Sequence, residues 1–120
     1  MRQHTPEHKA RSTVELLKGL GELYRRGGQV QRGLVMLLIA VHVAPEDPGL
    51  LLRLIIAFTE TGQSDRALSA LDRLTQIEGE SEDLMLLRSR ALWVSGDHDA
   101  ARECFGAHLM NNRPTRSPEP

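Results

Sequence analysis

The chain has 120 residues, of which 40% are hydrophobic, 26% charged and 3% aromatic, the balance of one small globular domain. Nineteen leucines against four aromatic residues, with no run of alternating Val and Ile, argue against a β-sandwich or barrel. Fifteen basic and sixteen acidic residues leave a formal charge of -1, without the positive excess on which nucleic-acid affinity depends.

In chain order, residues 1–13 read as a polar N-terminal segment, and Ser12 with Glu15 forms a capping box opening a first helix over Val14 to Tyr24. Gly28 follows where a left-handed C-capping residue belongs. A second periodic stretch runs from Val30 to Val43, and Leu34 to Val43 leaves almost no polar face. A helix apolar all round is buried on every side, so either Thr5 to Arg11 or another chain is expected to cover it. Asp47 and Pro48 are an N-cap and first helical residue opening Leu50 to Phe58. Gly62 follows that stretch, and Ser64 and Asp65 are expected to open the fourth, Asp65 to Ile77. Leu84 to Val94 ends at Gly96, and Asp97 opens the last stretch, to Met110. Residues 111–120 hold three prolines and read as a disordered tail.

Gly28, Gly62 and Gly96 stand at a constant interval along the chain. Six helices in three hairpins follow, over 14–47, 48–81 and 82–110, an all-α fold. The interval, about 34 residues, is that of a helix–turn–helix repeat, and with the residues that recur at it resembles the tetratricopeptide repeat. The first repeat carries Leu17, Leu20-Gly21, Tyr24, Gly28, Gly33, Leu37, Ala40 and Pro45 at that motif's spacing. The second carries Leu51, Leu54-Ile55, Phe58, Gly62, Ala67, Leu71 and Leu74, and the third Met85, Arg88-Ser89, Leu92, Gly96, Ala101 and Phe105. Ile55 stands where a small residue is expected, Arg88 where a leucine is, and repeat two lacks the closing proline. The resemblance implies a short right-handed superhelical solenoid, with the first helix of each hairpin lining a concave groove.

No catalytic constellation is visible, and no cofactor or metal is expected. His4 and His8 share i, i+4 spacing but have no third ligand nearby. Cys104 has no base placed to activate it and reads as a structural thiol; as the sole cysteine it allows no internal disulfide. The run from Leu34 to Val41 is too short for a bilayer, which takes about 20 residues, and nothing at the N-terminus resembles a signal peptide.

Binding is the better-supported expectation. Helical spacing assigns Glu15, Lys18, Glu22 and Arg25 to the groove in repeat one, Leu52, Ile56 and Thr59 in repeat two, and Leu86, Arg90 and Trp93 in repeat three. Trp93 is the leading anchor. A second apolar surface is expected at Leu34, Met36, Leu38, Ile39 and Val41. Asn111 and Asn112, the only asparagines, lie in the tail, so the Lys/Asn carboxylate clamp of heat-shock co-chaperones cannot be built. A three-repeat chain with a Gly27-Gly28-Gln29 turn and an apolar second helix is most similar to the Y-type (SctY/YscY-like) chaperones of bacterial type III secretion. That resemblance implies a chaperone of the bacterial cytoplasm that masks a small secreted export subunit, the X-type protein, as a heterodimer and delivers it to the export gate. The needle-subunit chaperone of the same systems is the alternative within that class. A homodimeric scaffold, self-associating through the apolar second helix, is the alternative outside it.

Overall fold

A computed structural model describes residues 6–111, and these residues fold as an all-α chain. Six helices occur among them: α1 (Pro6–Arg26), α2 (Val30–Val43), α3 (Pro48–Glu60), α4 (Ser64–Glu78), α5 (Glu82–Ser95) and α6 (His98–Asn111). Consecutive helices pack as pairs, α1 on α2, α3 on α4 and α5 on α6. The pairs then stack, α2 on α3 and α4 on α5, while α1 touches α3 and α3 touches α5. The odd-numbered helices therefore lie side by side along one face of the molecule.

Local chemistry explains the boundaries. Gly28, Gly62 and Gly96 all have positive φ and each closes its helix with the same pair of bonds. The N–H of Gly28 donates to the Arg25 carbonyl and that of Gln29 to Tyr24; Gly62 and Gln63 repeat this with Thr59 and Phe58, and Gly96 and Asp97 with Trp93 and Leu92. This is the Schellman arrangement, which needs a residue tolerant of the left-handed region at its centre. The Asp47 carboxylate accepts the Leu50 N–H at 3.1 Å ahead of Pro48, and Asp97 caps α6 through the Ala100 N–H at 3.2 Å. Two devices escaped the sequence reading. Ser81 caps α5 by accepting the Leu84 N–H, and Gly79, also at positive φ, ends α4.

The start of α1 corrects an expectation. Ser12 and Glu15 do not open the helix, which runs back to Pro6. Pro6 suits a first helical position, and Glu7, Lys9, Ala10 and Arg11 are good helix formers, so the matching pair at Ser12 is overridden from outside its own four residues. Val14 is buried, and Ala10, Arg11 and Val14 flank a hollow of about 280 Å³ that also touches Val43 and Ala44. Residues 1–5, among them His4 and part of the expected Thr5–Arg11 cover, lie outside the described residues, as do 112–120.

The core follows the repeat. Leu37 and Leu71, Leu50 and Leu84, Ala57 and Ala91, and Ala67 and Ala101 are buried, each pair being one repeat apart. One cluster joins Leu34, Leu37 and Ala40 of α2 to Leu50, Leu54 and Ala57 of α3. Another joins Leu51 and Ile55 of α3 to Leu71 and Leu74 of α4 and Leu84 of α5. In the first hairpin the helices approach closely at Gly21 and Gly33, where a Cβ on Gly33 would fall 2.5 Å from the Gly21 carbonyl oxygen. In the third hairpin the equivalent contact is polar, the Ser89 hydroxyl donating to the Ala101 carbonyl at 3.0 Å. Ile55 fills the same place in the second hairpin and is completely buried.

Candidate functional site

The residues assigned to the groove divide into two groups. The four charged residues assigned to it on α1, Glu15, Lys18, Glu22 and Arg25, are all engaged in ion pairs within the fold. The Lys18 ammonium, only 12% exposed, pairs with Glu15 at 2.9 Å and with Asp47 at 3.2 Å, tying α1 to the cap of α3. Partial burial opposes the charge on Lys18, but hydrogen bonds to Glu15 and Asp47 outweigh it and hold its pKa above the ordinary value. Arg25 grips Glu22 through two nitrogens, at 2.8 and 3.2 Å, and reaches Glu60 of α3 at 2.9 Å. Arg26 adds a further bond to Glu22 at 3.0 Å. Lys18, Glu22 and Arg25 are thus already paired inside the molecule, a partner-free role that their spacing did not disclose.

This network gives the fold an acid sensitivity. The hydrogen bond from Arg25 is the largest influence on Glu22, partial burial works against it, and Arg26 assists, so the carboxyl falls from 4.5 to about 2. A carboxyl depressed in the folded state stabilises fully above its unfolded value and loses that contribution as pH falls through the folded one. Urea unfolding should therefore show stability falling between pH 4.5 and about 2, and Glu22→Gln should flatten the profile in that window. An unchanged profile would remove Glu22 from the network.

The second group is accessible. Leu52 and Leu86 occupy equivalent positions on the adjacent helices α3 and α5, and both are exposed, as is Arg90; Ile56 is half-buried. Thr59 does not join them: it is buried, its hydroxyl donating to the Ile55 carbonyl. Trp93 is half exposed and stacks on His98 with ring centroids 3.9 Å apart, and the Arg102 guanidinium lies 5.8 Å from its ring. It therefore packs on the first turn of α6. At the equivalent place in the first hairpin, Arg25 reaches forward to the next hairpin, so Trp93 belongs to the open end of the stack as much as to the row of odd helices.

The second apolar surface is also redrawn. Leu34 is a core residue, and Leu38 and Val41 pack partly against the same core; each helix in a stack must give one face to its neighbour, and these residues are on it. Met36 is half-buried and Ile39 exposed. The exposed apolar side chains of α2 are Val35, Ile39 and Val43. Val35, Leu38, Ile39 and His42 line a shallow hollow of about 380 Å³. The signal that finds them is the comparison between repeats. Positions 69, 72, 73 and 76 hold Ser, Asp, Arg and Gln where 35, 38, 39 and 42 hold Val, Leu, Ile and His.

The remaining candidates are structural in their contacts. The Cys104 thiol donates to the Met85 carbonyl at 3.3 Å, and burial pushes its pKa up, away from a reactive thiolate. Among the described residues, no group of three or more His, Cys, Asp or Glu side chains could hold a metal ion. No helix among them is long and apolar enough to cross a membrane. Comparison with known proteins finds no family model and no curated protein that matches this chain.

Proposed function

We propose that this chain is a tetratricopeptide-type chaperone of the type III secretion class, binding a small secreted export subunit and masking its apolar helix until export. The observation that supports this reading most directly is the outer face of α2. Val35, Ile39 and Val43 are exposed there around the hollow lined by Leu38 and His42. Repeat two is polar at positions 69, 72 and 73, so stacking hairpins does not require an apolar residue there. An exposed apolar strip that the stacking itself does not call for is an interaction surface, and an amphipathic helix is the element whose apolar stripe fits such a strip. The exposed Leu52 and Leu86 supply a second, smaller apolar contact on the odd helices.

The test is co-purification with an X-type export subunit co-expressed in bacteria. Val35→Asp combined with Ile39→Asp should weaken capture by more than about tenfold, the equivalent of about 1.4 kcal/mol, with helicity retained. Trp93→Ala and Ile56→Asp should have the smaller effect. If instead the latter pair abolishes capture and the α2 pair does not, binding belongs to the odd-helix row. If the unaltered chain captures no such subunit, the reading is wrong.

A further inference from the structure

At the two ends of the stack Leu16, Leu23 and Phe105 are exposed at positions that are buried wherever another hairpin precedes or follows. At the leading end, Leu16 and Leu23 of α1 are 62% and 67% exposed. Their equivalents one repeat on, Leu50 and Ala57, are completely buried against the first hairpin. Leu20 lies between them on the same stripe, and its equivalent Leu54 is buried in that cluster as well. At the trailing end, Phe105 is 43% and Leu109 53% exposed on α6. Leu37 and Leu71, the equivalents of Phe105, are buried, Leu71 in a cluster that includes Leu84 of α5.

We infer that the trailing end of one chain stacks on the leading end of a second copy, repeating between molecules the junction that joins its own hairpins. The internal junctions dictate which residues meet. Leu71 shares a cluster with Leu84; one repeat further, Phe105 meets Leu16 of the next copy. Arg25 pairs with Glu60; two repeats further, the same relation sets Trp93 against Arg26, which is exposed, a cation over an indole face. Asp72 pairs with Arg88; one repeat further, the relation sets Gly106 against Leu20, with no charge stranded. Phe105 thus falls opposite Leu16, and Arg26, which Glu22 holds at 3.0 Å, falls opposite Trp93. The contact is heterologous, so chains would grow end to end rather than close as a two-fold dimer.

The inference is independent of the proposed client and is tested on the purified chain alone. Light scattering should show mass rising with concentration beyond twice the 13.4 kDa of one chain. Leu16→Glu with Leu23→Glu blocks the leading end, and Phe105→Glu with Leu109→Glu blocks the trailing end. Each variant alone should be monomeric. Mixed in equal amounts they should form a dimer and stop there, because each contributes the one end the other lacks; pairing also shows that both are folded. An unaltered chain that stays monomeric up to millimolar concentration overturns the inference. So does either variant that still dimerises by itself, or a mixture of two helical variants that does not pair. Mass gained only on adding an export subunit would give these ends to that partner instead, and would likewise overturn it.

Discussion

Truncation of Leu71 to alanine should destabilise the chain by about 2–5 kcal/mol, the range for emptying a fully buried leucine site. Leu71 is completely buried, and it shares its cluster with Leu51 and Ile55 of α3, Leu74 of α4 and Leu84 of α5. The loss therefore falls on the junction between the second and third hairpins as well as on the pairing within the second. Among the described residues α4 touches only α3 and α5, so little else is available to collapse into the void. Urea unfolding followed by far-UV circular dichroism measures the effect. A loss below about 1 kcal/mol would mean that the cavity closes by relaxation, and that the hairpins are less tightly joined than their burial indicates.

The same substitution should have opposite signs at two glycines of the first hairpin. At Gly33 the added Cβ lies 2.5 Å from the Gly21 carbonyl oxygen and 3.3 Å from the Arg25 nitrogen. Both are backbone atoms, so the two helices must separate. Gly33→Ala should cost about 1–3 kcal/mol, lowering Tm by roughly 4–8 °C for each kcal/mol in a chain of this size. At Gly19, on the exposed side of α1, nothing lies within 4 Å of the added atom. Gly19→Ala should stabilise by about 0.5–1 kcal/mol, because alanine has less backbone freedom to lose on entering a helix. Gly21→Ala is the intermediate case: its Cβ meets the end of the Leu37 side chain at 2.9 Å, and the Gly33 carbonyl oxygen at 3.1 Å. Thermal unfolding of the three variants ranks them. Equal effects at Gly33 and Gly19 would show that backbone entropy, not helix approach, sets the cost.

The network around Glu22 shows how tertiary approach converts an apparent binding residue into a structural one. Lys18, Glu22 and Arg25 lie on one stripe of α1, and a stripe of charge reads as solvated or partner-facing. Asp47 and Glu60, which engage Lys18 and Arg25, are 29 and 35 residues away in the chain. No pattern within α1 reveals them. Such ion pairs contribute modestly where solvent reaches them, and their clearer consequence here is to hold α1 against α3 and its cap.

Trp93 shows the converse. Its position in the repeat is legible, one residue beyond Leu92 in the series Tyr24, Phe58, Leu92. Its surroundings are not. The indole stacks on His98, a residue that by its flanking aspartates reads as part of a solvated turn. Stacking leaves one side of the ring occupied and half of the side chain exposed, so Trp93 sits at the edge of a surface rather than at its centre.

What the sequence determined by itself was local and periodic. The three turns at Gly28, Gly62 and Gly96, the caps at Asp47 and Asp97, the six helices and the buried positions that recur with each repeat all rest on interactions within a few neighbours, or on one face of one helix. Only the tertiary structure decided which residues of those faces remain outside: Val35 and Val43 beside the expected Ile39, rather than Leu34 and Val41, and Leu16 and Leu23 at the leading end. The physical reason is that an apolar stripe specifies that it will be buried without specifying against what. In a stack of hairpins the same stripe is core in the middle and surface at the ends.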